Sequence, residues 1–184
     1  MIYHETTLAD AWLIDLEKRG DERGWFARTM DAREFADRGM DSVFVQQNAS
    51  VSARAGTVRG MHFQRPPHAE AKLVRCVRGH LLDVIVDLRP GSPSYLHHEA
   101  FELSAGNGHM LYVPRGFAHG FQTLVDDVEA SYLVSAFYAP EAEGGLRHDD
   151  PRLGITWPRP VSVLSPKDAS WPLLDEGNPG LGQG

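Results

Sequence analysis

From Val43 onward the chain is a succession of short apolar or alternating runs. They are VFVQQNASV from Val43, TVRGMHF from Thr57, KLVRCV from Lys72, HLLDVIVDL from His80, HEAFELS from His98, HMLYVP from His109, HGFQTLV from His119 and EASYLVSAFY from Glu129. Gly79, the Pro90 to Pro93 turn, Gly106 to Gly108 and the Asp126–Asp127 pair punctuate them. Many short strands at near-regular spacing predict an antiparallel sandwich or barrel. Ahead of them Ala32, Phe35 and Ala36 stand at helical spacing and predict one short helix over Asp31–Arg38. Asp83 and Asp87 interrupt the apolar run from His80; the pattern predicts strand ends or a solvated face, above all for Asp87. From Asp149 the chain is Pro-rich and is expected to wrap the barrel as a long tail. One domain is expected over residues 1–175, with a disordered end over 176–184.

Composition narrows the class. A length of 184 residues with 42% apolar and 23% charged side chains suits one globular core. Eighteen Gly and twelve Pro favour short strands and turns over long helices. The net charge of -7 argues against nucleic acid as a partner, while leaving room for a local basic pocket for a phosphorylated small molecule. Cys76 is the only cysteine, so neither an internal disulfide nor a cysteine metal cluster can form; it reads as a small buried hydrophobe. The first residues carry acids early and no long apolar run. They read as neither a signal peptide nor a membrane span, and a cytoplasmic location is expected.

Two segments carry candidate chemistry. In the clearer one, Gly108 is followed after five residues by Pro114, then Gly116 and His119; in the other, Gly56 is followed after five residues by His62. Both resemble the paired motifs of cupin barrels. In metal-binding cupins a second His follows the first by two residues, but here that position is Gln64. The nearest acid, Glu70, falls at the wrong spacing, and Thr123 stands where an Asn usually closes the second motif. Two histidines fall short of the three or more ligands a transition metal needs, so no metal is expected. They are free to serve as acids, bases or donors.

Further pieces occur in a fixed order: RGWF from Arg23, QQNASVS from Gln46, VRGMHFQ from Val58, KLVRCVRG from Lys72, DVIVDLRPGSPSY from Asp83, YVPRGFAHGF from Tyr112, YLVSAFYAPEAEGGLRHDDP from Tyr132, GITWP from Gly154 and LSPKD from Leu164. As a set they resemble the dTDP-4-dehydrorhamnose 3,5-epimerase family from about Asp21 to Asp168. The resemblance implies a mainly β, cupin-type antiparallel β-barrel or jelly roll with a few short helices. It also implies a homodimer with a swapped N-terminal segment, a nucleotide-diphosphate sugar as ligand, and no cofactor. The expected activity is epimerisation at C3, C5 or both of a nucleotide-linked 4-keto-6-deoxy hexose, in deoxysugar biosynthesis.

Chemistry supports that expectation. A ketone at C4 acidifies the hydrogens on C3 and C5, and the enolate places its charge on the C4 oxygen. The substrate is its own electron sink, so the protein supplies a base, an enolate stabiliser and an opposing acid. The resemblance assigns His62 as base, oriented by Asp168, with Lys72 and His119 at the enolate oxygen and Tyr132 as the acid. Taken alone, Asp168 would read as a surface tail charge, Lys72 as a strand-edge charge and Tyr132 as a packing aromatic. By the same resemblance Arg23 and Arg59 lie near the diphosphate, Tyr138 stacks on the nucleotide base, and Phe26, Gln47, Asn48 and Glu143 contribute contacts. One departure concerns Arg28, where the family usually has Glu. A guanidinium donates only and cannot accept the thymine N3–H, which opens the choice of a CDP- or GDP-linked sugar. His148 replaces a frequent Trp and bears on tail packing.

Other readings stay open on residue types alone. They are a 3-epimerase, a 5-epimerase, a ketoisomerase, a non-catalytic nucleotide-sugar-binding cupin and, disfavoured by Gln64, a metal-dependent oxygenase.

Overall fold

The computed structural model describes residues 1–174 and 181; the expectation of disorder over 176–184 lies outside the described residues, Leu181 excepted. The strands are β1 (Ile2–Glu5), β2 (Trp12–Asp15), β3 (Arg19–Asp21), β4 (Gly24–Phe26), β5 (Gln46–Ser52), β6 (Val58–Gln64), β7 (Lys72–Arg78), β8 (His80–Asp87), β9 (His98–Ser104), β10 (Met110–Val113), β11 (Phe117–Thr123), β12 (Val128–Val134) and β13 (Glu143–Gly145). Two short helices, α1 (Ala32–Ala36) and α2 (Pro166–Ala169), and one 3-10 turn (Pro140–Ala142) complete the regular structure. A six-stranded sheet runs β1-β2-β10-β7-β12-β5 and a five-stranded sheet runs β13-β6-β11-β8-β9. All strand pairs within them are antiparallel, giving the expected cupin-type jelly roll.

The central strands β8, β10 and β11 are covered on both faces, and this explains their nearly continuous apolar runs, while the edge strands β5 and β9 keep exposed positions. Between the sheets lie Val74, Leu81, Ile85, Leu103, Leu111 and Phe121. Val84 and Val86, the alternate residues of β8, face outward beneath Leu153 and Leu174 of the tail. Leu73 and Met110 face the other way, beneath Phe35 of α1. The Pro-rich tail therefore wraps the barrel as expected, and an isolated bridge joins Thr57 to Val163. Asp31 caps α1 by accepting from the N–H groups of Arg33 and Glu34.

Three readings need correction. The strand expected from Val43 begins at Gln46, and β1 to β4 were not foreseen. Asp87 does end its strand but is fully buried. It accepts from Arg89 Nε (2.9 Å) and from the Ser94 hydroxyl (2.7 Å), with Ser92 as a further donor. Charge-assisted bonds replace its lost hydration. Asp83 is likewise fully buried, on the inner face.

Candidate active site

The alternation of each strand decides which polar side chains enter the barrel. On β8 the inner set 81, 83, 85 includes Asp83; on β11 it includes His119, which lies opposite His62 of β6. A register shift between His119 and Phe121 pairs them with His62 and Arg59 respectively. Arg59 and His62 would otherwise face opposite sides, and this irregularity brings both onto one wall. The two strands approach closely there: a Cβ added to Gly60, whose φ is +134°, would lie 2.5 Å from the Gly120 Cα. Only glycine fits that backbone.

The result is a cavity of about 380 Å³ lined by Arg59, His62, Lys72, His119, Tyr132 and Asp168, with Ser50, Ser165 and Lys167 at its edges. His62, Lys72 and Tyr132 also line an adjoining recess of about 420 Å³, whose other walls include Asn48, Glu70, Tyr138 and Glu143. Those three shared side chains form the wall at which the two spaces adjoin.

The His62 Nε2 lies 2.6 Å from the Asp168 Oδ1. The carboxylate is buried, and its second oxygen accepts from the Gly60 N–H at 3.4 Å. Burial pushes the Asp168 carboxyl up, but His62 and the Gly60 N–H outweigh it and hold the group below its ordinary value. An ionised Asp168 requires the proton on Nε2, leaving Nδ1 as the ring atom free to accept another. Ser165 caps α2 by accepting from the Asp168 N–H at 3.0 Å, and this turn of tail sets the carboxylate in place. Trp171 meets the His62 ring edge-on at 6.5 Å. It packs so closely over Gly145 that a Cβ there would collide with the indole.

His119 makes a second pair, its Nε2 lying 2.9 Å from the Asp83 Oδ2, with both side chains buried. Lys72 is also buried, with its Nζ 3.3 Å from the Glu70 Oε1. Burial and then the Glu70 charge push the Tyr132 phenol above its ordinary value, against a smaller pull from Arg59. Tyr138 is exposed and donates to the Glu143 Oε2 at 2.8 Å, which also takes the Lys167 ammonium at 2.6 Å. Gln64 is a cross-link: its Oε1 accepts from the Ala139 N–H at 2.6 Å, and its Nε2 donates to the carbonyls of His68 and Phe137. Among the described residues no three His, Cys, Asp or Glu side chains are grouped to hold a metal ion.

Nine of the thirteen residues singled out from the sequence thus meet around one space: Asn48, Arg59, His62, Lys72, His119, Tyr132, Tyr138, Glu143 and Asp168. Four do not within this chain. Gln47 faces the opposite side of β5 from Asn48 and donates to the Ser131 hydroxyl at 3.2 Å. Arg23 and Phe26 sit on the β3–β4 hairpin, outside both large sheets. Arg23 is exposed and paired to Asp21. Arg28 pairs with Asp31 at 3.0 Å and, with Phe26, lines a separate cavity of about 250 Å³.

Comparison with known proteins decides which cupin this is. The family model described as dTDP-4-dehydrorhamnose 3,5-epimerase matches residues 5–176. The chain belongs to this family. The chain is 49% identical over 177 residues to the dTDP-4-dehydrorhamnose 3,5-epimerase of Sinorhizobium fredii, covering 96% of this chain and 91% of that one. It is 42% identical to a dTDP-4-dehydrorhamnose 3-epimerase of Streptomyces niveus, covering 90% and 80%. The crystal structure of the Bacillus anthracis 3,5-epimerase, with TDP and PPi bound, superposes with a TM-score of 0.90 at 42% identity, covering 94% of this chain and 99% of that one. The protein is therefore an epimerase, an isomerase by class.

The sequence reading missed Asp83, Glu70, Trp171 and Lys167. Asp83 carried a signal: it shares strand parity with Leu81 and Ile85, and an acid on a buried face needs a partner. Glu70 lay outside any motif, and its role depends on the turn that carries it back to Lys72.

Proposed function

We propose that the protein epimerises a dTDP-linked 4-keto-6-deoxy hexose through an enolate, with His62 as base. The observation that carries this reading is the His62–Asp168 pair facing the same cavity as Lys72 and Tyr132. With Nε2 tied to Asp168, Nδ1 takes the C–H proton and the carboxylate stabilises the imidazolium that forms. Lys72 and His119 place donors where charge develops on the C4 oxygen. Tyr132 then gives its phenolic proton to the opposite face of the carbanion, and inversion results. A tyrosine phenol, with an ordinary pKa of about 10, holds that proton at neutral pH, and burial with the Glu70 charge pushes Tyr132 higher still.

Arg59 offers a cation for the diphosphate, and the exposed ring of Tyr138 a platform for the base. The β3–β4 hairpin, with Trp25 and Phe26 exposed, reads as an arm that serves the cavity of a second copy in a homodimer. Arg23 would then reach the partner's diphosphate. Arg28 pairs with Asp31 at 3.0 Å, and the choice of dTDP rests on the relatives, which are dTDP-4-dehydrorhamnose epimerases. No helix among the described residues is long and apolar enough to cross a membrane.

The deciding experiment incubates the enzyme with dTDP-4-keto-6-deoxyglucose in deuterated buffer and follows C3 and C5 by NMR. Deuterium at both carbons, lost in His62→Ala, supports 3,5-epimerisation; deuterium at C3 alone makes it a 3-epimerase. No exchange with this substrate, but exchange with a CDP- or GDP-linked sugar, would overturn the choice of nucleotide.

A further inference from the structure

Glu70 is a carboxylate in the recess to which the proposed mechanism gives no task. Its side chain is 13% exposed, and both its oxygens are held. One faces the Lys72 ammonium at 3.3 Å; the other accepts from the Gln64 Nε2 at 3.3 Å. Gln64 is itself buried and fixed to the Ala139 N–H and the Phe137 carbonyl, so the carboxylate is mounted on a rigid bracket. A partly buried acid held this firmly beside a lysine at the reaction centre acts on the charge balance of the cavity.

That balance matters most for Tyr132. The charged and titratable groups sharing a cavity wall with it come from several elements. Arg59 and His62 lie on β6, Lys72 and Arg75 on β7, and His119 on β11. Lys167 and Asp168 belong to α2, Glu143 opens β13, Tyr138 lines the same recess, and Asp83 of β8 stands behind His119 as its partner. Of the carboxylates, Asp168 is committed to His62, and Glu143 to Lys167 and Tyr138. Glu70 therefore stands against a surplus of cations around a phenol that must stay protonated.

We propose that Glu70 is a positioning residue for proton delivery, aiming the Lys72 ammonium into the cavity and offsetting the positive charge around Tyr132. The proposal rests on the epimerase reading above. In the reprotonation step the Tyr132 O–H bond breaks, a C–H bond forms at the sugar carbon, and the phenolate regains its proton from solvent. Cations stabilise the phenolate and would strip the proton before it is needed. The burial and Glu70 contributions to the Tyr132 phenol both act to retain it, and Arg59 opposes them.

The test is Glu70→Gln, which keeps shape and removes charge, with Glu70→Asp as the variant that restores it. Tyr132 is followed by NMR of tyrosine labelled at Cζ, assigned with Tyr132→Phe. In Glu70→Gln, Tyr132 is expected to ionise at lower pH, while Glu70→Asp tracks the parent enzyme. This titration needs no substrate, so it separates failure of the Glu70 role from failure of the epimerase reading. With substrate, Glu70→Gln is expected to retain KM within about twofold. On the alkaline side it should lose at least about threefold in inversion relative to deuterium exchange, because His62 still removes and returns its proton. An unchanged Tyr132 titration, or an inversion-to-exchange ratio that follows the parent enzyme at every pH, would overturn the proposal.

Discussion

The barrel cavity and the β3–β4 hairpin carry residues that read alike in sequence and stand in opposite situations. In the cavity Lys72, His119, Asp83 and Asp168 are buried, and each charged group is answered by a partner within hydrogen-bond or ion-pair reach. On the hairpin Arg23 is 85% exposed by side chain, Phe26 is 67% exposed, and the nearby Asp21 is the ion-pair partner of Arg23. Exposed pairs of this kind contribute little to stability. The residues proposed for the chemical step thus meet within one chain, whereas the hairpin residues meet no cavity of their own chain's barrel. The difference teaches that residues lying within one set of family motifs need not be brought together by the fold of a single chain.

The largest effects should come from the cavity. His62→Ala is expected to reduce both deuterium exchange and inversion by about 10³-fold or more, because it removes the only base proposed for either carbon. Asp168→Asn keeps the shape but frees the tautomer, and kcat should fall about 10²-fold or more with little change in KM. Tyr132→Phe should separate the two readouts: exchange persists while inversion falls at least about tenfold. Loss of both together in Tyr132→Phe would place another group on the opposite face.

The hairpin should respond differently. Arg23→Ala is expected to raise KM about tenfold and leave kcat within about threefold, since a phosphate contact made equally in ground and transition states affects binding alone. A fall in kcat equal to that of Asp168→Asn would erase the contrast. Acid should also distinguish the two regions. Burial pushes the Asp87 carboxyl up, but bonds from Arg89 and Ser92 prevail and leave it below its ordinary value, as His62 and the Gly60 N–H do for Asp168. Groups with depressed folded pKa values stabilise above their unfolded pKa, about 4, and lose that contribution as pH falls through the folded value. Thermal stability should therefore hold from neutral down to about pH 4 and decline below it. Asp87→Asn should lower the melting temperature at neutral pH and flatten that decline. The exposed Asp21–Arg23 pair should leave the profile unmoved.

Much of this arrangement was legible in the chain, for identifiable reasons. Turn residues and alternation pointed to an antiparallel sandwich or barrel, because period-two patterning is a local property, and the family resemblance narrowed it to a cupin-type jelly roll. The cavity residues on β6, β7, β11 and β12 lay within compact motifs. The four N-terminal strands escaped notice because they are three or four residues long and carry no sustained alternation. Asp87 was misread because its partners, Arg89, Ser92 and Ser94, sit in a turn that pattern alone treats as solvated. Asp168 could be placed through the family resemblance alone, as nothing local distinguishes it from a tail charge. Its position depends on a tail that crosses the barrel and bridges Thr57 to Val163 before turning into α2.

The smallest effect is also the one that tests the comparison most directly. If the hairpin serves the second copy, a mixed dimer of His62→Ala and Arg23→Ala chains contains one doubly impaired site and one site with both residues intact. If each hairpin serves its own chain, the same dimer has no intact site. Random reassociation of equal amounts gives about half mixed dimers. About one quarter of all sites should then recover parent kcat and KM at substrate concentrations too low for Arg23→Ala alone. Activity no higher than the average of the two separate variants would return the hairpin to its own chain. It would also require a hinge between Phe26 and α1 to bring Arg23 to the cavity.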